Sequence, residues 1–212
     1  MYDNSLARMP DPVVNPNAPG FSTANIQDIV PAMSHELNGG QVVSVKFEGN
    51  YWSIQIGFPE TTIEQASTIV PFLYSMRSSF SDFYVQLPQY AHPRSGAWST
   101  NPIVAGNITI GGSSNQIIVT NWPNTHTIEV GDMIKLSNSH KIYMVTGYSR
   151  SGTTVTLDLN CSVVNRSTLN SATLDPNDIK FKVRFKSDFS PPQLTADGIY
   201  TAFTIDLREN IL

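Results

Sequence analysis

The sequence predicts a mainly β fold: a β-sandwich with one flanking α-helix, built from both ends of the chain and interrupted by an inserted small β-barrel of OB type. Three observations predict it. Apolar and polar residues alternate strictly near both ends, in "VVSVKF" and "YWSIQIGF" and again in "IKFKVRFK". Five short strand-like runs separated by turn signals fill the middle. A single stretch, from Thr61 to Phe80, carries apolar residues at helical spacing.

Composition allows such a fold and narrows its use. The chain has 212 residues, of which 40% are hydrophobic and 14% charged, so it buries a real core while Ser, Thr, Asn and Gln cover much of its surface. A surface of that kind suits a protein packed among others. The formal charge of -4 argues against specific nucleic-acid binding, which needs a basic face to neutralise phosphates. Cys161 is the one cysteine, which excludes a disulfide framework and a thiolate metal cluster. No apolar run approaches the roughly 20 residues of a membrane helix, and "MYDNSLARMPDP" lacks the pattern of a signal peptide. The expectation is a chain made and folded in a cytoplasm, with no membrane partner.

The elements follow in order. Prolines at 10, 12, 16 and 19 forbid a helix or a central strand near the start, leaving a loose terminus or a stiff arm lying on a neighbouring surface. Val43, Val45 and Phe47 alternate with Ser44, Lys46 and Glu48. Gly49 and Asn50 then suit a two-residue turn, and Trp52, Ile54, Ile56 and Phe58 form the apolar side of a returning strand, a hairpin with one buried face. Thr61 and Glu64 have capping-box spacing before Ile63, Ala66, Val70, Leu73 and Phe80, with Pro71 expected to kink the helix or end its first half. Phe83, Val85 and Leu87 point inward on a strand that Pro88 closes, and "QYAHPRSGAWSTNP" reads as a linker.

The middle strands are expected at 103–110, 116–122, 133–138, 141–149 and 153–160, in up-and-down order. After the polar connector "NRSTLNSATLDPND", Ile179, Phe181, Val183 and Phe185 oppose Lys180, Lys182, Arg184 and Lys186, and Phe203, Ile205 and Leu207 share one side of the last strand. This divides the chain into 1–96 with 176–212, a discontinuous sandwich, and 97–175, the barrel. No internal repeat is evident.

Catalytic equipment is absent from this pattern. "GYSRSG" has the wrong spacing for a nucleophile elbow, "IGGSSNQ" lies between strands where it serves as a turn, and Gly131 with Asp132 reads as a turn rather than a catalytic acid. His35, His92, His126 and His140 are scattered without ligand spacing, so no metal, catalytic residue or cofactor is expected. The candidate contact residues are instead Lys180, Lys182, Arg184 and Lys186, a one-sided row that is either a solvated face or a subunit contact meeting carboxylates such as Glu48 or Asp206 on the next copy or carboxylates on another protein. Trp122 and Tyr143 are candidates for an exposed contact on the barrel, against the commoner reading of aromatics as core.

"MPDPVVNPNAPGF", "YWSIQIGFPE", "LPQY", "GDMIKLSNSHKIYMVTGYS" and "GIYTAFTIDLREN" occur in an order that resembles the distal tail proteins of long, flexible-tailed bacteriophages, in their short two-domain form, over Met9 to Asn210. The resemblance implies a tail-tube-like sandwich interrupted by an OB-like barrel, assembled as a hexameric ring at the distal end of the tail tube in the virion. It implies as partners other copies of the chain, the tail tube protein, a tail-tip hub protein, and a fibre or collar protein docked on the barrel, with DNA passing through the ring. Deleting the barrel is expected to leave such a ring intact. A carbohydrate-binding module acting in host adhesion through the barrel is the alternative, and single-strand nucleic-acid binding ranks below both.

Overall fold

The computed structural model describes residues 6–36, 40–46, 49–77, 81–98, 103 and 107–211. The strands of the first half are β1 Thr23–Ile29, β2 Ala32–Glu36, β3 Val42–Lys46, β4 Tyr51–Phe58, β5 Thr61–Thr62 and β6 Phe83–Val85, with helix α1 at Ile63–Ser75. Those of the second half are β7 Ile108–Ile110, β8 Gln116–Val119, β9 Met133–Leu136, β10 Ile142–Ser151, β11 Thr154–Leu159, β12 Leu174–Asp175, β13 Phe181–Phe185, β14 Ile199–Tyr200 and β15 Phe203–Glu209. Together they make the mainly β fold expected, a β-sandwich body carrying an OB-like insert.

Both chain ends enter one antiparallel sheet of order β1-β4-β15-β13-β6. Alternation explains its two faces. Trp52, Ile54, Ile56 and Phe58 are buried with Phe181, Val183, Phe185, Ile205 and Leu207, and α1 adds Ala66, Ile69, Val70 and Leu73 to the same cluster. The intervening residues, among them Gln55, Asp206 and Arg208, form the polar face. The helix is capped by Thr62, one residue later than the spacing suggests; its hydroxyl accepts from the Gln65 backbone N–H at 3.4 Å. Chain continues through Pro71 without ending the helix before Ser75, and Ile63, expected in the buried stripe, is half exposed. Phe80 lies outside the described residues.

The proline-rich start is not loose. Met9 N donates to Tyr84 O and Tyr84 N to Ala7 O, so the segment extends the sheet beyond β6, and Met9 is 1% exposed. Asp11 then folds the prolines back by accepting from Val13 N, Val14 N and Arg8.

The first hairpin differs from expectation. β4 pairs not with β3 but with β1, from Ile29↔Tyr51 to Thr23↔Gly57, while β3 pairs with β2, from Ala32↔Lys46 to Glu36↔Val42. β1 with β4 and β2 with β3 therefore pair as two successive ribbons, and Gly49, at φ +112°, lies between β3 and β4 without turning one back on the other. Among the described residues, the outer ribbon joins no other sheet. Five residues per strand carry it about 17 Å onward, and Met33, Val42 and Val45 are 65%, 61% and 54% exposed along it.

The barrel is a second, six-stranded sheet of order β12-β9-β10-β11-β8-β7. Its middle strands occur where alternation places them, but the up-and-down order does not hold. β8 pairs with β11 instead of β9, because the loop from Thr120 to Asp132 carries the chain across and fills the interior with Trp122 and Ile128. Ile103, ahead of β7, and Leu174 of β12 exchange backbone hydrogen bonds at 2.9 and 3.1 Å. β10 bends at a bulge between Val145 and Gly147, where a side chain would meet Asp158 Oδ2 at 2.4 Å. Among the described residues, no helix is long and apolar enough to cross a membrane.

Candidate interaction surfaces and the joint between the two bodies

Each candidate contact residue has a definite place. β13 lies between β15 and β6, so its basic row is not at a sheet edge. Asp82 serves two members, with Arg184 Nη2 at 2.9 Å and Lys182 Nζ at 3.4 Å, and Lys180 Nζ lies 2.6 Å from Asp178. Lys186 is exposed at the end of the row. Asp206, suggested as a carboxylate for a neighbour, accepts from Gln55 Nε2 at 3.0 Å within the chain; Glu48 lies outside the described residues.

Trp122 and Tyr143 are not surface residues. They are 1% and 0% exposed, because the crossing loop and β10 turn them into the barrel core. Trp122 stands edge-on to Trp98 at 5.5 Å and donates its indole N–H to His126 O, whereas the Tyr143 hydroxyl accepts from Val164 N. Burial pushes the Tyr143 pKa up to about 12. Trp98, assigned by sequence to a linker, belongs to the same core, and its ring lies 4.0 Å from that of His126.

The remaining chemical candidates are structural. Asp132 accepts from Glu129 N at 2.8 Å and Arg94 N at 3.1 Å, which ties the linker to the turn before β9. His35 and His92 are exposed and distant in role from buried His126. Among the described residues, no group of three or more His, Cys, Asp and Glu is placed to hold a metal ion.

One cluster has no signal in the sequence. Glu209, the last residue of β15, continues the buried face of its strand, where an apolar side chain would be usual. Its Oε2 lies 2.6 Å from Lys141 Nζ and accepts from Trp52 N at 3.0 Å, and its Oε1 accepts from Ile142 N at 2.9 Å. Both charged side chains are fully buried. Trp52 Nε1 reciprocates by donating to Ile142 O at 2.7 Å, and the Lys141 ammonium lies 5.1 Å from the Trp52 ring centroid. Burial raises the Glu209 pKa, against the opposing pull of Lys141 and the N–H donors.

This cluster joins the two bodies. Lys141 and Ile142 come from the barrel, Trp52 and Glu209 from the five-stranded sheet, and barrel residues Met133 and Ile142 enter the apolar cluster of that sheet. Asn160 Nδ2 adds a bond to Asp28 Oδ2 at 2.9 Å. Removing the barrel would strip Trp52 and Glu209 of their cover.

Comparison with known proteins adds the family. The model described as "Distal tail protein pb9, A domain, N-terminal" matches residues 9–90, and "Distal tail protein pb9, B domain" matches residues 94–173. The curated distal tail protein pb9 of Escherichia phage T5 is 31% identical over 209 residues, covering 96% of this chain and the whole of that relative.

Proposed function

The chain belongs to the distal tail protein pb9 family and is a structural protein of a phage tail; from that premise we propose that it forms a hexameric ring at the distal end of the tail tube. The ring joins the tube to a tail-tip hub protein and to fibre or collar proteins. We take 1–96 with 176–212 as the ring-forming part and 97–175 as the barrel that docks accessories. The protein works without catalysis, is made in the host cytoplasm and resides at the virion tail tip, with DNA passing through the ring and no specific nucleic-acid contact.

The outer ribbon carries this reading. A two-stranded ribbon alone in water is marginal, yet β2 and β3 pair outside the sheet with Met33, Val42 and Val45 exposed. Cover from a neighbouring copy explains why valines occupy it. The sheet supports the same arrangement: its β6 side is occupied by Ala7 to Met9, while β1 ends the strand order on the other side. Lys186 is the member of the basic row we assign to a contact. Repetition of one such head-to-tail contact closes into a ring.

Sedimentation velocity of the full chain tests it. A six-chain species is expected, and Met33→Lys with Val45→Glu, opposite charges at directly paired positions, should give a folded monomer that melts below the assembled wild type. A six-chain species that persists in the double variant would remove the ribbon from the contact. The carbohydrate alternative loses its platform, since Trp98, Trp122 and Tyr143 are buried and Tyr148, 39% exposed, is the barrel's remaining aromatic.

A further inference from the structure

We propose that the joint between the sheet body and the barrel is a latch with two states, shut by the Lys141–Glu209 pair and opened when that pair becomes hydrated, freeing the barrel to swing on its two connectors. This holds whether or not the ring reading does.

An apolar seam resists opening because every exposed surface costs free energy. Here the central groups are a carboxylate and an ammonium, both fully buried. Desolvating them on closure offsets most of their attraction, and opening returns both to water. Opening also exposes Trp52, Met133 and Ile142, but hydration of the pair offsets part of that cost, so the joint opens more readily than either core. It is also all-or-none. Three donors, Lys141 Nζ, Trp52 N and Ile142 N, converge on the two oxygens of Glu209, so displacing that carboxylate releases all three together.

The connectors fit a hinge. Trp98 N donates to Asn177 Oδ1 at 2.9 Å, and Asn177 Nδ2 returns a bond to Trp98 O at 3.1 Å, so the two chains crossing between the bodies are stitched side by side on the barrel side. On the sheet side, Ile179 N donates to Ala91 O at 3.2 Å. Between these two stitches lies Asp178, a non-glycine residue at φ +51°. A barrel released at Glu209 remains tethered by this narrow pair of strands, which is the geometry of a hinge opposite its catch.

Native-state amide exchange of the full chain at increasing, sub-denaturing urea tests the latch. The Trp52 and Ile142 amides, which face Glu209, are expected to exchange together, at least about tenfold faster than those of Ile56 and Leu157 at the sheet centres, and with a weaker urea dependence than global unfolding. In Lys141→Met, which leaves the Glu209 carboxylate buried without its counter-charge while keeping both acceptors of the backbone N–H groups, the Trp52 and Ile142 amides should exchange faster than in the wild type and with the same weak urea dependence. Exchange of Trp52 and Ile142 only with global unfolding, at the same rate and urea dependence as Ile56 and Leu157, would overturn the proposal and make the joint a permanent weld. Should the variant fail to fold, the wild-type urea dependence alone decides between the two.

Discussion

Lys141→Met isolates the electrostatic part of the joint, because methionine retains most of the lysine stem while deleting the ammonium 2.6 Å from Glu209 Oε2. Glu209 then keeps its bonds from Trp52 N and Ile142 N but has lost its counter-charge in a dry site. Removing one partner of a buried pair costs about 3–5 kcal/mol. For a chain of 212 residues, each kcal/mol moves the midpoint by about 2–4 °C, so Tm should fall by about 6–20 °C at neutral pH. The loss depends on pH in a definite direction. Burial already raises the Glu209 pKa and Lys141 pulls it down, so the variant raises it further. A carboxyl whose folded pKa exceeds its unfolded value, about 4.3, binds a proton more readily when folded. Stability therefore rises as pH falls through the folded pKa and levels off below the unfolded one. Calorimetry from neutral pH to about pH 4 reads both effects. A Tm at neutral pH within a degree or two of wild type, or a deficit that grows on acidification, would refute the reasoning.

Other substitutions test separate parts of the account. Adding Glu209→Gln to Lys141→Met should recover part of the lost stability, because the lone charge is gone while the new amide NH2 faces one of the two backbone N–H donors, and chemical denaturation of the two variants gives the comparison. Thr62→Ala should cost about 1 kcal/mol through loss of the helix cap, more than an exposed polar change elsewhere on α1, as urea unfolding will show. Trp98→Ala should cost about 3–5 kcal/mol by emptying the barrel core beside Trp122 and His126, with the loss seen in the same urea assay.

The sequence made single strands legible and their partners illegible. Alternation in β4, β13 and β15 identified the buried faces correctly, because a half-buried strand must repeat every two residues. It could not say that β4 pairs with β1, since "TANIQDI" is an edge strand of mixed exposure whose alternation is weak. Gly49 and Asn50 satisfied the local chemistry of a hairpin turn, and only the pairing of β2 with β3 shows that the chain there does not turn β4 back on β3. The order of the barrel strands was hidden for a related reason. Nothing local distinguishes a loop that returns to its neighbour from one that crosses the barrel, as Thr120 to Asp132 does.

The candidate sites follow the same division. Lys180 to Lys186 were read correctly as one face, but their carboxylate partners, Asp82 among them, come from outside that strand. Large aromatic residues are more often core than surface, and Tyr143 from β10 and Trp122 from the crossing loop are both buried. Lys141 and Glu209 are separated by 68 positions and look like ordinary strand-end charges. Their union is a tertiary fact.

The ring is the central claim, and negative-stain imaging of the purified full-length protein tests it most directly. The account predicts sixfold particles with a central hole, the barrels projecting outside the wall made by the chain ends. Single particles of one chain at every concentration, confirmed by light scattering, would contradict it.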